Sequence, residues 1–66
     1  MKNGVYILKE KSGLTPDIQF NKGQEFEVVG KMVYVNGHPL PFEMQVDIYR
    51  WMTQNNDLFI NDTRDF

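Results

Sequence analysis

The chain has 66 residues, of which 41% are hydrophobic and 14% aromatic, with seven basic and nine acidic side chains, one histidine and no cysteine. This is the composition of a folding globular chain, and without cysteine it excludes the disulfide framework that staples many proteins of this size. A net charge of -2 without a basic cluster argues against a polyanion-binding face, and no run of about 18 apolar residues offers a membrane span.

Sixty-six residues make a single domain spanning positions 1–66. A domain so small buries only about 60% of the surface its unfolded chain exposes, which leaves little core to spare for a deep pocket. Charge is uneven along it. Residues 1–41 carry five lysines against four carboxylates, and residues 42–66 carry two arginines against five, so the acidic C-terminal third suits a basic partner or serves solubility. The opening Met1-Lys2-Asn3-Gly4-Val5 turns polar too soon for a signal peptide, and the expected location is the cytoplasm.

Val5-Tyr6-Ile7-Leu8 reads as a first strand, covered on both sides because four apolar residues stand in a row. Lys9 to Gly13 is a polar turn, and Thr15-Pro16-Asp17 is turn chemistry in which Pro16 fixes its own φ and holds Thr15 extended. Ile18 and Phe20 alternate with Gln19 and Asn21, enough for a short edge strand or an extended loop that drops two side chains onto the core. After Asn21-Lys22-Gly23 the alternation becomes clean. Phe26 and Val28 face inward while Glu25 and Glu27 face water. Gly30 marks a bend or bulge before Met32-Val33-Tyr34-Val35. Asn36-Gly37 is the strongest hairpin signal in the chain, and Pro39 confines the return strand His38–Leu40 to an edge.

At Pro41 the hydrophobic period changes from two to 3.6, which predicts a helix over 42–54, with Pro41 at its first turn and Glu43 beside its positive end. At about 100° per residue, Met44, Ile48, Trp51 and Met52 share one face, and Phe42, Val46 and Tyr49 an adjacent one. Asp47 and Arg50 stand at i and i+3, the spacing of a supporting ion pair. Asn55-Asn56-Asp57 stops the helix through a left-handed Asn, and Leu58-Phe59-Ile60 follows as a last short strand or lies along the core. The predicted class is α+β: a small, bent antiparallel sheet of four or five short strands, of the SH3-like barrel type, with one C-terminal helix.

Catalytic chemistry finds little footing. His38 sits between a turn and a proline, and Ser12 lies in a turn without the glycines of a nucleophile elbow. Asp57, Asp62 and Asp65 with their neighbouring asparagines lack the ligand spacing of a calcium loop, and the five scattered glycines form no phosphate-cradling motif. No metal, cofactor or enzymatic activity is expected. The aromatic residues carry more information, because Tyr6, Phe20, Phe26, Tyr34, Phe42, Tyr49, Trp51, Phe59 and Phe66 exceed what so small a core encloses. Five or six of them make the core; either the helix spends both its apolar faces there, or one face packs on the sheet and the other meets another chain, with Phe42, Val46 and Tyr49 as the outward face or, in the reverse assignment, Met44, Ile48, Trp51 and Met52.

Met32-Val33-Tyr34-Val35-Asn36-Gly37, Pro39-Leu40-Pro41, Trp51 and the ending Leu58 to Phe66, with its Asp62-Thr63-Arg64-Asp65-Phe66, resemble small accessory proteins of T-even-like tailed bacteriophages. The likeness covers about half the chain. It implies a compact early protein of the host cytoplasm that binds a host protein and changes its activity, and an ordered tail in which Arg64 or Phe66 docks.

The expectation is therefore a non-enzymatic protein-binding module, an inhibitor or other modulator of a host protein, whose contacts come from Phe42, Val46, Tyr49, Arg64 and Phe66. A homodimer through the helix is a further possibility for the same face. The alternative is a weak single-stranded nucleic-acid binder using Tyr34, Lys31 and Lys22, the nearest approach to aromatic rings interleaved with cations.

Overall fold

The computed structural model describes residues 1–62. Seven strands and one helix follow in the order β1 (Gly4–Leu8), β2 (Ser12–Thr15), β3 (Ile18–Phe20), β4 (Glu25–Val29), β5 (Met32–Val35), β6 (His38–Pro39), α1 (Phe42–Gln54) and β7 (Phe59–Asn61), with a 3-10 turn at Asn56–Leu58 before β7. The class is α+β, as the sequence predicts, and the helix has the expected bounds. Five strands form one antiparallel sheet in the order β6-β5-β4-β1-β7, and β2 pairs with β3 in a separate ribbon.

The sheet does not close into a barrel. Its edges are β6, two residues long and blunted by Pro39, and β7. The inner face is covered by α1 and by Phe20 from the β2–β3 ribbon, not by the sheet's own far edge. Tyr6, Leu8, Phe26, Val28, Val33 and Phe59 point inward from the sheet, and Ile48, Trp51 and Met52 meet them from the helix. Rings pack edge-on at the centre, with Phe26 to Phe59 at 5.5 Å and Trp51 to Phe59 at 5.4 Å between centroids, the arrangement that aromatic quadrupoles favour.

The chain reverses twice between β4 and β6. Gly30 does not bend a continuous strand. Val29 and Met32 are direct partners across a two-residue turn in which Gly30 takes φ +64°, so β4 and β5 form a hairpin of their own. Asn36 (φ +52°) and Gly37 (φ +83°) then supply the consecutive left-handed residues of a second hairpin. Ser12 and Gly13, read as the end of a turn, belong to β2. A Cβ at Gly13 would run into the Ile18 carbonyl oxygen and approach the Gln19 Cα to 2.8 Å, so close pairing of the ribbon at its register shift depends on glycine there.

Among the described residues the first strand is fully covered on one side only. Tyr6 and Leu8 are buried, whereas Val5 and Ile7, on the other face, are half-buried. The helix end also differs from expectation, since Asn55 keeps a negative φ of -125° instead of turning left-handed. It caps through its side chain, with Nδ2 donating to the Trp51 carbonyl at 2.9 Å beside the backbone N–H at 3.0 Å.

Candidate functional site

The helix is held in one rotation about its axis by Gln45, which is only 4% exposed. Its amide accepts from the Val33 N–H at 2.6 Å and donates to the carbonyls of Val33 at 3.1 Å and Leu40 at 3.0 Å. With Gln45, Ile48 and Met52 facing the sheet, residues at positions 42, 46, 49 and 53, spaced i, i+4, i+7 and i+11, come to one outer stripe. Phe42 is 86% exposed and Val46 60% exposed, while Tyr49 is half-buried at the stripe's margin. The Tyr49 hydroxyl accepts a hydrogen bond from the Met1 ammonium at 2.7 Å, which fixes the ring.

Beside this stripe lies a groove of about 490 Å³, lined by Val46, Tyr49, Arg50, Thr53 and Gln54 of α1 and by Lys31 of the β4–β5 turn. Val46 and the Tyr49 ring make its apolar wall, and two cations stand at its rim. Among the described residues neither Lys31 nor Arg50 has an ion-pair partner, so the Asp47–Arg50 pair expected from spacing is not formed. The site therefore offers a shallow apolar seat beside two cations that form no ion pair among the described residues, with Asp47 lining the neighbouring depression next to Arg50. Such a seat suits an apolar side chain that has a carboxylate next to it.

Of the residues expected to meet a partner, Phe42, Val46 and Tyr49 share the stripe, with Phe42 a turn beyond the groove itself. Arg64 and Phe66 lie outside the described residues. The nucleic-acid set does not come together. Lys22 precedes β4 and Lys31 follows it, which places them at opposite ends of that strand, and Tyr34 is paired across the sheet with Glu27. A carboxylate directly opposite the stacking ring opposes a phosphate backbone there. His38 is exposed on the edge strand, and Ser12 is half-buried in β2. Among the described residues no group of three or more histidines or carboxylates is placed to hold a metal ion, and no helix is long and apolar enough to cross a membrane.

Two features escaped sequence reasoning. Gln45 stands at a core position of the helical wheel, between the directions of Met52 and Tyr49, so a polar residue inside an apolar arc was the available signal. The outward pairing of Val29 with Met32 needed the turn at Gly30-Lys31 to be placed first, because a bend there leaves the two side chains unrelated. No protein family, no curated protein and no solved structure matches this chain.

Proposed function

We propose that the chain is a non-enzymatic protein-binding module, working in the cytoplasm and, in the setting that its resemblance to phage accessory proteins implies, binding a host protein and inhibiting it. The observation that carries this reading is the helix stripe: Phe42 at 86% and Val46 at 60% exposure are large apolar side chains turned to solvent beside a groove of about 490 Å³. A protein of this size has few apolar residues to spare from its core, and contiguous exposed ones usually mark an interaction surface. The partner places an apolar side chain against Val46 and Tyr49 and a carboxylate within reach of Lys31 or Arg50.

The experiment is affinity capture from bacterial lysate with the wild-type chain and with Phe42→Ala and Val46→Asp, whose exposed positions leave the core intact. A specific protein retained by the wild type and lost from both variants supports the reading. Capture that is unchanged by either substitution, or none at low or high salt, contradicts it. Sedimentation at two concentrations reads the homodimer through the same stripe, since self-association would appear in the wild type and vanish with Val46→Asp.

A further inference from the structure

The sheet's outer face carries a second, chemically different surface. Side chains of alternate parity to the core emerge there, and register places them in contact. Ile7 of β1 is the direct partner of Ile60 of β7, and Val29 of β4 is the partner of Met32 of β5. Ile60 is 53% exposed, Val29 46% and Met32 42%, so among the described residues three of the five exposed large hydrophobic side chains lie on this face, against two on the helix. Among the described residues the charged side chains at outward strand positions between the field's ends are of one sign, while Lys31 of the β4–β5 turn stands at the end beyond Val29 and Met32. Glu27 is flanked by Val5 on one neighbouring strand and Tyr34 on the other, and Glu25 is the partner of Ile7. Among the described residues neither glutamate has a cation paired to it, and the next outward position of β1, Lys9, stands at the margin beyond Ile7.

From these observations we propose that the outer face of the sheet is a docking surface for a cationic amphipathic segment, one with an apolar stripe flanked by lysine or arginine. Its width favours one element. Four strands, β7 to β5, span roughly 14 Å at about 4.8 Å per interval, and a helix with its side chains is about 10–12 Å across. Its charge selects the sign. A segment laid over Ile7, Val5 and Tyr34 covers Glu25 and Glu27, and covering a carboxylate without a counter-charge is costly, whereas a lysine or arginine there turns the cost into a charge-assisted hydrogen bond. The same charges disfavour a second copy of this chain as the occupant. Sheets packed face to face sit about 10 Å apart, and two copies would enclose four carboxylates in that layer. This face lies on the opposite side of the sheet from the helix groove, whose rim is cationic, so the two surfaces select partners of opposite charge.

The test is shift mapping of the ¹⁵N-labelled chain with two synthetic amphipathic peptides of equal length, one of leucine and lysine, the other of leucine and glutamate. The leucine–lysine peptide is expected to shift the amides of Ile7, Glu25, Glu27 and Tyr34 and leave those of Val46 and Tyr49 in place, with binding that weakens as salt is added. The double substitution Glu25→Lys, Glu27→Lys lowers its affinity by about tenfold or more, and Glu25→Gln, Glu27→Gln by less. All four substitutions are at exposed positions, and thermal melting verifies that the variants fold. No sheet shifts at millimolar peptide, shifts confined to the helix, or an affinity unmoved by charge reversal overturns the proposal. So does concentration-dependent self-association that shifts the same sheet amides. The leucine–glutamate peptide reads the helix groove independently, because its failure at Val46 and Tyr49 leaves the sheet result standing.

Discussion

The side chain of Gln45 is paired with Val33 as one strand residue pairs with another, accepting from its N–H at 2.6 Å and donating to its C=O at 3.1 Å. The pairing of β5 with β6 on that edge, Tyr34 with Pro39 and Val35 with His38, stops short of Val33, whose carbonyl receives from the returning chain only the Leu40 N–H, at 3.3 Å. The glutamine amide fills the ladder position that a longer β6 would occupy, and it fastens α1 to the sheet in the same act. Gln45→Leu fills the space but leaves the Val33 N–H without a partner in a buried site. An unpaired buried group costs roughly 1–3 kcal/mol, and loss of the amide donor to the Val33 and Leu40 carbonyls adds to it. Urea denaturation should show a loss of about 2–4 kcal/mol with little change in slope.

Gln45→Glu separates the two halves of that contact by pH. A carboxylate accepts from the Val33 N–H, but its second oxygen faces the carbonyls of Val33 and Leu40, which only a protonated acid can satisfy. The folded state therefore raises this carboxyl above its unfolded value of about 4.3 and binds the extra proton. With more protons bound folded than unfolded, the contribution is present below the unfolded value and is lost as pH rises through the folded one. The deficit of this variant relative to wild type should be smaller at pH 4 than at pH 7, measured as the difference in urea midpoint. A deficit equal at both values would mean that the amide's donor half contributes nothing.

Phe26 has no exposed surface and touches Phe20, Trp51 and Phe59 through ring contacts of 5.1, 6.0 and 5.5 Å. Phe26→Ala removes the ring that joins ribbon, helix and last strand, at a cost of about 3–5 kcal/mol. A 66-residue domain has a total stability of roughly 3–10 kcal/mol, so a large fraction of the variant should be unfolded at 37 °C, seen as loss of near-ultraviolet circular dichroism from Trp51.

Gly13→Ala should destabilise by more than about 1 kcal/mol although its φ is not left-handed, because the new methyl meets backbone of β3 that has no room to yield. Gly23→Ala has open space around it and pays only for φ +87°, a strain of about 1 kcal/mol. Trp51 fluorescence adds a second readout, since Phe20 of the displaced ribbon packs on that ring at 5.4 Å. An unchanged spectrum and melting temperature for Gly13→Ala would mean that the ribbon slides without consequence.

The parts of this structure that alternation and helical spacing determine were legible in the chain. Phe26 and Val28 inward with Glu25 and Glu27 outward, the helix over 42–54, the Asn36-Gly37 reversal and the edge position of Pro39 each follow from a local rule about side-chain direction or backbone freedom. What was not legible depends on pairing between distant segments. Whether Gly30 bends a strand or reverses it is decided by what Met32 pairs with, and closure of the sheet by whether β6 and β7 meet. At the site, the helical wheel placed Phe42, Val46 and Tyr49 on one stripe, but Lys31 joined it through the unforeseen turn, and the apolar outer face of the sheet emerged only with the register.

The binding reading stands on the helix stripe, and calorimetric titration of the captured partner tests it most directly. Wild type, Val46→Asp and Lys31→Glu are compared once circular dichroism has shown all three folded. Val46→Asp should weaken binding by about a hundredfold or more and Lys31→Glu by about tenfold, the latter with a reduced salt dependence. An affinity for Val46→Asp equal to wild type would contradict the assignment of that stripe as the contact surface.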